Sequence, residues 1–398
     1  MAIQSGVGIS HHRNPQVAGK EAVEKALASG MIEKADFIFA FATVGYNQEQ
    51  VIAAIRKATD NTPLTGCSAE GVIVGGEVDE SNFSVAVMVI KSDTIRFSHG
   101  IEVGLKEDPN GVGEKIAQGL SKHAADDALA LFLFPDGLTI NYDALKSGIT
   151  ENINLNTPLP FFGGAAGDNW KFEKTYQYCD DTVTSDGVAW SLMSGTAKIL
   201  SGVGHGCIPL GIEHKVTKAT GNTVYEIDGK PVLDILKNDY LTTQDINDWT
   251  KTFQTFTLGL RAPQKMADYD QYIIRTMVGG INMENGAVTL ATEVKEGESM
   301  WVARRDFDKM ANDNRKTLKH ILNNRSETPF SMVFQFECIG RGKVFVPDKI
   351  KQELITILRE EVGLEVPWIG FYTYGEIGPV GEDNHFHNES MVLMTIQE

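Results

Sequence analysis

Residues 63–66 read Pro-Leu-Thr-Gly, and the same Pro-x-x-Gly spacing returns at residues 160–163 and 367–370. Each tetrapeptide follows an apolar strand and an amphipathic helix, and a glycine-containing loop and a second apolar strand come after it. The leading strands are predicted at Phe37–Thr43, Ala128–Phe134 and Ser331–Phe336, and the closing strands at Ser84–Ile90, Val188–Met193 and Ser390–Ile396. Since one unit occurs three times, the three loops are expected to lie at related positions in space.

The second and third copies extend upstream in a similar element order. A strand at Thr94–Val103 and a helix from Val112 precede the second copy. Strand pieces at 287–292 and 300–304 and a helix at Phe307–Leu322 precede the third. This order predicts an old duplication into two related halves, in an α/β to α+β fold whose mixed β-sheets are covered by helices. We predict the boundary near Gly221, which gives domains of residues 1–221 and 222–398.

The overall composition restricts the functional classes. The chain has 398 residues and a net charge of −17, which disfavours binding to nucleic acid or to anionic membranes. No run of about 18 apolar residues predicts a membrane span, and no signal peptide is apparent at the start. The four cysteines are far apart in sequence, which indicates neither a zinc knuckle nor a disulfide framework. A cytoplasmic location is therefore expected.

The loops that follow the repeated motif are the first candidates for a binding site. They read Gly-Cys-Ser-Ala-Glu-Gly at 66–71, Gly-Gly-Ala-Ala-Gly-Asp at 163–168 and Tyr-Gly-Glu-Ile-Gly-Pro at 374–379. Glycine lets a ligand approach the backbone N–H groups, although turns between packed strands use the same residues. No Gly-Lys-Ser/Thr sequence follows, so these are not phosphate loops. The predicted ligand-binding residues are Cys67, Ser68, Gly164, Ala165, Asp168, Arg341, Tyr374 and Glu376.

The short motifs in and around these loops resemble, in their order, those of the FIST family. The motifs are Gly66-Cys67-Ser68, residues 163–168, Tyr225 to Gly229, Glu337-Cys338-Ile339-Gly340-Arg341, residues 374–378 and His387-Asn388. The resemblance covers most of the chain as a FIST N-type and a FIST C-type domain. It implies a sensory protein that binds small ligands such as amino acids. Some stand-alone bacterial members are haem proteins that sense nitric oxide and act on a histidine kinase. This chain lacks room for an output module, so a separate signalling partner is expected.

Two of the predicted site residues allow a different chemistry. Cys67 is the candidate nucleophile of a cysteine-dependent enzyme, but no histidine is close in sequence to act as its base. A small buried cysteine in a turn is the alternative. Arg341 could hold a ligand carboxylate with two parallel hydrogen bonds, and a surface ion pair is the alternative.

Histidines supply the candidate metal ligands. His385 and His387 form a His-x-His sequence that places both rings on one side of a strand, as zinc or iron would require, although a polar loop is the simpler interpretation. His205 lies between two glycines, which favours an accessible ring and makes it a candidate axial ligand for haem. Haem is thus the alternative cofactor.

Aromatic residues gather near the same loops and favour a small-ligand cleft, although core packing would also use them. They are Tyr46, Trp170, Tyr176, Trp368, Phe371 and Tyr374. The leading hypothesis is a sensor that binds a small ligand between its two halves and signals through a partner protein. The alternatives are a haem-based nitric oxide sensor and an enzyme that uses Cys67.

Overall fold

The computed structural model describes residues 3–122, 127–153, 158–241, 256–263, 266 and 269–398. The chain consists of three units with the same element order and one inserted sheet. The first unit comprises β1 (Ile3–Ser10), α1 (Pro15–Gly30), β2 (Phe37–Thr43), α2 (Gln48–Ala58), β3 (Leu64–Ala69), β4 (Gly71–Val74), β5 (Glu77–Asp79) and β6 (Val85–Ser92). The second comprises β7 (Ile95–Val103), α3 (Pro109–Ser121), β8 (Ala128–Pro135), α4 (Tyr142–Asn152), β9 (Phe161–Gly164), β10 (Gln177–Cys179), β11 (Thr182–Thr184) and β12 (Gly187–Gly195).

The third unit begins with β13 (Lys198–Gly204) and is then interrupted by the inserted sheet. The insertion comprises β14 (Cys207–Thr220), β15 (Thr223–Ile227), β16 (Lys230–Pro231), α5 (Val232–Ile235), β17 (Phe256–Arg261), β18 (Tyr272–Arg275), β19 (Met277–Ile281), β20 (Val288–Leu290) and β21 (Ser299–Arg305). The unit resumes with α6 (Phe307–Asn324), β22 (Phe330–Cys338), α7 (Asp348–Val362), β23 (Trp368–Thr373), β24 (Glu376–Val380), β25 (Asp383–His387) and β26 (Met391–Gln397).

Each unit builds a six-stranded mixed sheet and contributes a hairpin to a neighbouring sheet. The orders are β1-β6-β2-β3-β10-β11, β25-β24-β9-β8-β12-β7 and β13-β26-β22-β23-β4-β5. The hairpin of the first unit thus completes the sheet of the third, that of the third completes the second, and that of the second completes the first. This exchange ties the units together, because the edge of each sheet is supplied by another part of the chain.

The three sheets share one apolar core, and helices cover their outer faces. Phe39, Phe132 and Phe334 stand at equivalent positions of β2, β8 and β22. Their ring centroids are 5.0, 4.9 and 5.0 Å apart, which forms a triangle at the centre. All three rings are fully buried. Aromatic pairs at this spacing contribute about 0.5–1.5 kcal/mol beyond the burial of their area.

The Pro-x-x-Gly motif has the same structural role in each copy. The carbonyls of Pro63, Pro160 and Pro367 each accept a backbone hydrogen bond of 2.9 Å from the neighbouring parallel strand. A side chain at Gly66 would overlap the carbonyl oxygen of Ala40 on that strand, and the glycines at 163 and 370 are equally crowded. The motif therefore lets two parallel strands approach closely.

The predicted fold class is confirmed, with mixed sheets, covering helices and internally repeated halves. The repeat also includes the first copy, since β1 and α1 correspond to β7 and α3. One element was assigned wrongly: the counterpart of β7 in the third unit is β13, which pairs with β26. The strand pieces at 287–292 and 300–304 belong to the insertion, which separates β13 from the rest of its unit. Within the described residues, no helix is both long and apolar enough to cross a membrane.

Candidate functional site

Residues that follow β3, β9 and β23 converge at one place in the structure. The hydroxyl of Tyr374 donates a hydrogen bond of 2.5 Å to Asp168 and lies 3.2 Å from a carboxyl oxygen of Glu70. The backbone N–H of Trp170 donates to that same Glu70 oxygen at 2.8 Å. All three units therefore contribute to this cluster, because the carboxyl ends of equivalent parallel strands meet at the same end of the core.

Asp168 holds the loop that follows it. Its two carboxylate oxygens accept hydrogen bonds from the backbone N–H groups of Phe172, Glu173 and Lys174, at 2.9, 2.7 and 3.0 Å. A carboxylate that accepts three backbone donors and one phenol fixes the loop from within. Residues 168–174 are called the Asp168 loop below.

Three non-glycine residues of the Asp168 loop adopt left-handed backbone conformations. The φ angles are 57° at Asn169, 63° at Trp170 and 52° at Phe172. Such angles are uncommon outside glycine and are genuine outliers for bulky residues. Residues in sparsely populated backbone regions cost about 1–3 kcal/mol each and cluster at functional sites. Here the strain is concentrated where two aromatic rings are presented.

Those rings form a group with aromatic residues from the third unit. Trp170 lies 5.7 Å from Phe172 and 5.5 Å from Phe345, and Phe172 stacks on Tyr374 at 5.1 Å, measured between ring centroids. Phe172 is 56% exposed and the other three rings are partly exposed. We call these four residues the aromatic site. It is an open aromatic surface above a buried carboxyl group, Glu70.

Glu70 is the unusual polar group beneath the aromatic site. Its side chain is fully buried, and burial raises the pKa of the carboxyl group to about 8. Its Oε1 atom has no hydrogen-bond partner among the residues that the structure describes. The nearest cation is the ammonium of Lys343, 4.0 Å away and partly exposed. At neutral pH Glu70 is therefore largely a neutral acid that can donate a hydrogen bond.

Glu376 is a second buried acid near this centre, and it accepts hydrogen bonds from Thr373 and Ser390. Burial raises its pKa to about 8 as well. Because the folded-state pKa exceeds the ordinary value of 4.5, the folded chain binds more protons than the unfolded chain between these values. The stability contributed by each acid is therefore complete below pH 4.5 and falls as the pH rises through about 8.

We expect the variants Glu376→Gln and Glu70→Gln to reduce this pH dependence. Each should gain stability relative to the native chain as the pH rises from 5 to about 8.5, because an amide has no proton to lose. Urea denaturation at several pH values measures the effect. Glu49→Gln, an exposed position on α2, is the control and should run parallel to the native chain. Parallel profiles for all variants would show that neither acid is held neutral.

The predicted loop residues of the first two units serve mainly to pack the sheets. Cys67 is fully buried in the shared core, and burial raises its pKa well above the usual value, so this thiol does not meet the conditions for a nucleophile. The hydroxyl of Ser68 donates to the Gly167 carbonyl at 2.8 Å. Gly164 pairs with Glu376 in the sheet, and a side chain there would meet Thr373. The carbonyl of Ala165 accepts from the Tyr374 N–H at 2.9 Å.

Arg341 is fully buried and binds protein groups only, among the described residues. Its Nε donates to Glu337 at 2.5 Å and its other nitrogens to Asn314 and to the His205 carbonyl, at 3.1 and 3.2 Å. The expected carboxylate recognition is thus present, but the carboxylate is Glu337. This ion pair is buried, so the alternative of a surface ion pair does not describe Arg341.

Two of the three predicted metal-binding histidines contact Tyr269, and the third lies next to one of them. The Tyr269 ring lies 5.6 Å from His205 and 5.6 Å from His387, and the His385 and His387 rings are 6.0 Å apart. His205 uses both ring nitrogens, one with Asp270 at 2.9 Å and one accepting from the Cys207 N–H at 2.9 Å. An axial haem ligand needs a free ring nitrogen, so this arrangement does not favour His205 in that role.

His387 is different, because one of its ring nitrogens is available. Its Nε2 lies 3.1 Å from the Gly378 carbonyl and donates to it, while Nδ1 has no partner in the described part of the chain. Burial lowers the pKa of this imidazole well below its usual range, so it is neutral. The ring is fully buried, which leaves no access for a porphyrin in this conformation.

Sequence reasoning identified part of the aromatic site and missed the rest. Asp168, Trp170 and Tyr374 were singled out, and the structure brings all three together. Glu70 lay within a quoted loop without a role, and Phe172 and Phe345 carried no signal.

Comparison with known proteins gives two domain matches. Residues 36–230 match the FIST N domain and residues 233–379 match the FIST C domain. An uncharacterized protein of Methanocaldococcus jannaschii is 25% identical over 366 residues, which covers 85% of this chain and 69% of that protein. An uncharacterized protein of Mycobacterium tuberculosis is 25% identical over 346 residues, covering 85% and 84%. Among solved structures, a chorismatase covers 100% of both chains at 6% identity, with a TM-score of 0.37, too low to support an inference.

Proposed function

Since this chain belongs to the FIST family, whose domains are associated with signalling and sensing, we propose that it is a sensory protein whose small ligand binds at the aromatic site. The observation that carries the proposal is the Asp168 loop. Its strained backbone places the rings of Trp170 and Phe172 against aromatic rings from the other half of the chain. A loop held rigidly in costly conformations to present partly exposed aromatic rings is typical of a binding site.

The groups at the site favour a ligand with a planar or apolar body and a carboxylate. The four rings offer stacking surfaces to the body of the ligand. The neutral Glu70 acid can donate through Oε1, and the Lys343 ammonium 4.0 Å away supplies a positive charge. A ligand carboxylate that approaches both groups would accept a hydrogen bond from Glu70 and form an ion pair with Lys343. Aromatic amino acids and related carboxylic acids meet this description.

Ligand binding would change the conformation of the site. Because Glu70 is fully buried, a ligand reaches its carboxyl group only when a covering ring or the Lys343 side chain moves. Two of the rings belong to the N-terminal half and two to the C-terminal half. A ligand that prefers one arrangement of these rings shifts the population toward it.

A route from the site to the inserted sheet is provided by Arg305. Its guanidinium lies 3.9 Å from the centre of the Phe345 ring and forms an ion pair with Glu389. Glu389 in turn accepts a hydrogen bond of 3.2 Å from Thr276, between β18 and β19 of the insertion. Movement of Phe345 would therefore alter the surface that the insertion presents. We propose that a separate signalling protein, such as a histidine kinase, recognises this surface.

The proposal is tested with the twenty common amino acids and their 2-oxo acid analogues as probes. We expect an aromatic member to raise the thermal midpoint and to change tryptophan fluorescence. Trp170→Ala should weaken its binding by roughly 5- to 150-fold, since the stacking of a nucleic-acid base on one aromatic side chain contributes about 1–3 kcal/mol. Trp301→Phe, on the inserted sheet, is the matched control and should bind normally. If no probe binds, or Trp170→Ala binds as the native chain does, the proposed site is wrong.

A further inference from the structure

Three chemically different side chains meet where the sheets of the first and second units adjoin. His99 lies on β7, Cys179 ends β10, and Asp180 begins the turn that leads to β11. The ring nitrogen, the thiol sulfur and a carboxylate oxygen all lie within 4.8 Å of one another. The residues belong to different sheets, because β7 is an edge of the second sheet and β10 completes the first.

The protein holds two of these groups, the Asp180 carboxylate and the His99 ring, in place. Asp180 has a left-handed backbone with φ of 52°, and one of its carboxylate oxygens accepts from the Leu64 N–H at 3.1 Å. The other carboxylate oxygen lies 3.0 Å from Nε2 of His99. The His99 ring is fixed edge-on against Phe37, with centroids 5.4 Å apart. Both polar side chains are partly exposed, at 17% for His99 and 40% for Asp180, so an ion can enter.

Arg56 is a positively charged neighbour whose charge opposes the binding of a cation. Its guanidinium lies 3.4 Å from Asp180 but faces the oxygen that is turned toward Leu64. It also lies 3.3 Å from the carboxylate of Asp181. The two aspartates outweigh this single charge, and the Cys179 thiol releases its proton to solvent when a divalent cation binds, so the position between His99, Cys179 and Asp180 remains favourable for such a cation.

A second cluster of three possible metal ligands is a poorer cation site, because a protein cation already occupies it. His205, Asp270 and Asp313 also come within 4.8 Å of one another. There, however, the ammonium of Lys309 already lies 2.9 Å from Asp270 and 2.6 Å from Asp313. The protein thus supplies its own cation at that position, while at His99 the nearest protein cation faces away.

We propose that His99, Cys179 and Asp180 form a binding site for a divalent zinc ion, with water as the fourth ligand. Imidazole nitrogen, thiolate and carboxylate are the side-chain ligands that zinc prefers, and three of them with one open position are a known zinc arrangement. The ion would link β7 to the β10–β11 hairpin and so fasten the second sheet to the first. This site is separate from the aromatic site, and its test does not depend on the proposed sensory function.

The test uses cobalt(II), which replaces zinc in such sites and is coloured. The full chain is treated with a chelator, exchanged into metal-free buffer and titrated with cobalt(II) alone. We expect one equivalent to bind and to produce a thiolate-to-cobalt charge-transfer band. Zinc should then displace cobalt and raise the thermal midpoint. Cys67, Cys207 and Cys338 are buried, so the band reports on Cys179.

Variants locate the site and distinguish specific cobalt binding from weak binding at the protein surface. Cys179→Ser should remove the charge-transfer band, and His99→Gln and Asp180→Asn should each weaken cobalt binding by at least about 10-fold. His11→Gln is the matched control, because His11 lies between Glu77 and Asp79, at 2.7 and 2.5 Å, without a thiol. This control should bind cobalt as the native chain does. A native chain without the band, or a band of full intensity in Cys179→Ser, would overturn the proposal.

Discussion

The variant Arg341→Met is expected to lose about 3–5 kcal/mol of unfolding free energy, because it leaves the carboxylate of Glu337 buried without its partner. Arg341 is fully buried, and Glu337 is 4% exposed. The lost arginine also takes with it the hydrogen bonds to Asn314 on α6 and to the His205 carbonyl at the start of the insertion. Urea denaturation at pH 7 measures the loss.

A matched control separates burial from pairing. Arg96 forms two hydrogen bonds with Asp127, at 2.8 and 2.9 Å, but this pair is exposed. Arg96→Met should therefore change the unfolding free energy by less than about 1 kcal/mol. In the double variant Arg341→Met with Glu337→Met, much of the stability should return, since no charge remains buried. If Arg341→Met costs no more than Arg96→Met, the buried pair does not have the stabilising role given to it here.

Asp168→Ala is expected to release the whole Asp168 loop and to abolish binding at the aromatic site. The carboxylate accepts three backbone donors and the Tyr374 hydroxyl, and hydrogen bonds to charged groups contribute about 1.5–3 kcal/mol each. Without them, Trp170 and Phe172 lose the contacts that hold their left-handed conformations. Amide exchange at Phe172 to Lys174 should accelerate by roughly 100-fold or more.

The control for this variant is an aspartate with the same role in another loop. Asp136 follows β8, is buried, and accepts from the N–H groups of Leu138 and Asp186 at 2.9 and 3.0 Å. Asp136→Ala should accelerate exchange only near those residues and leave ligand binding unchanged. Unaltered exchange at Phe172 to Lys174 in Asp168→Ala would mean that the loop is held by its aromatic contacts alone.

Local sequence signals predicted the repeated unit well. An apolar run predicted β2 with its observed bounds, Phe37–Thr43, and Asn47 caps α2 by accepting a hydrogen bond of 2.9 Å from the Gln50 N–H. Such signals depend on neighbouring residues, so they are readable without the fold. The insertion was harder to predict, because no local sequence signal shows that more than one hundred residues separate β13 from the rest of its unit.

The spatial relation of the three loops was predicted, whereas the roles of their residues were not. The loops after the Pro-x-x-Gly motifs do meet, which follows from the repeat itself. The roles within them do not follow, since Cys67 and Gly164 face packed interiors whereas Glu70 does not find a partner for one oxygen. Whether a loop residue faces a sheet or a ligand is set by elements far away in sequence.

The three units, with most strands and helices within them, follow from local sequence, because turn chemistry, capping and hydrophobic period act over a few residues. The choice of which hairpin completes which sheet depends on long-range packing, and it also sets which residues meet at the polar centres described above. Tyr374 meets Asp168 across 206 positions of sequence, and His99 meets Asp180 because β10 leaves its own unit. Burial then raised the pKa of Glu70 and Glu376, since a carboxylate removed from water is less stable than the neutral acid.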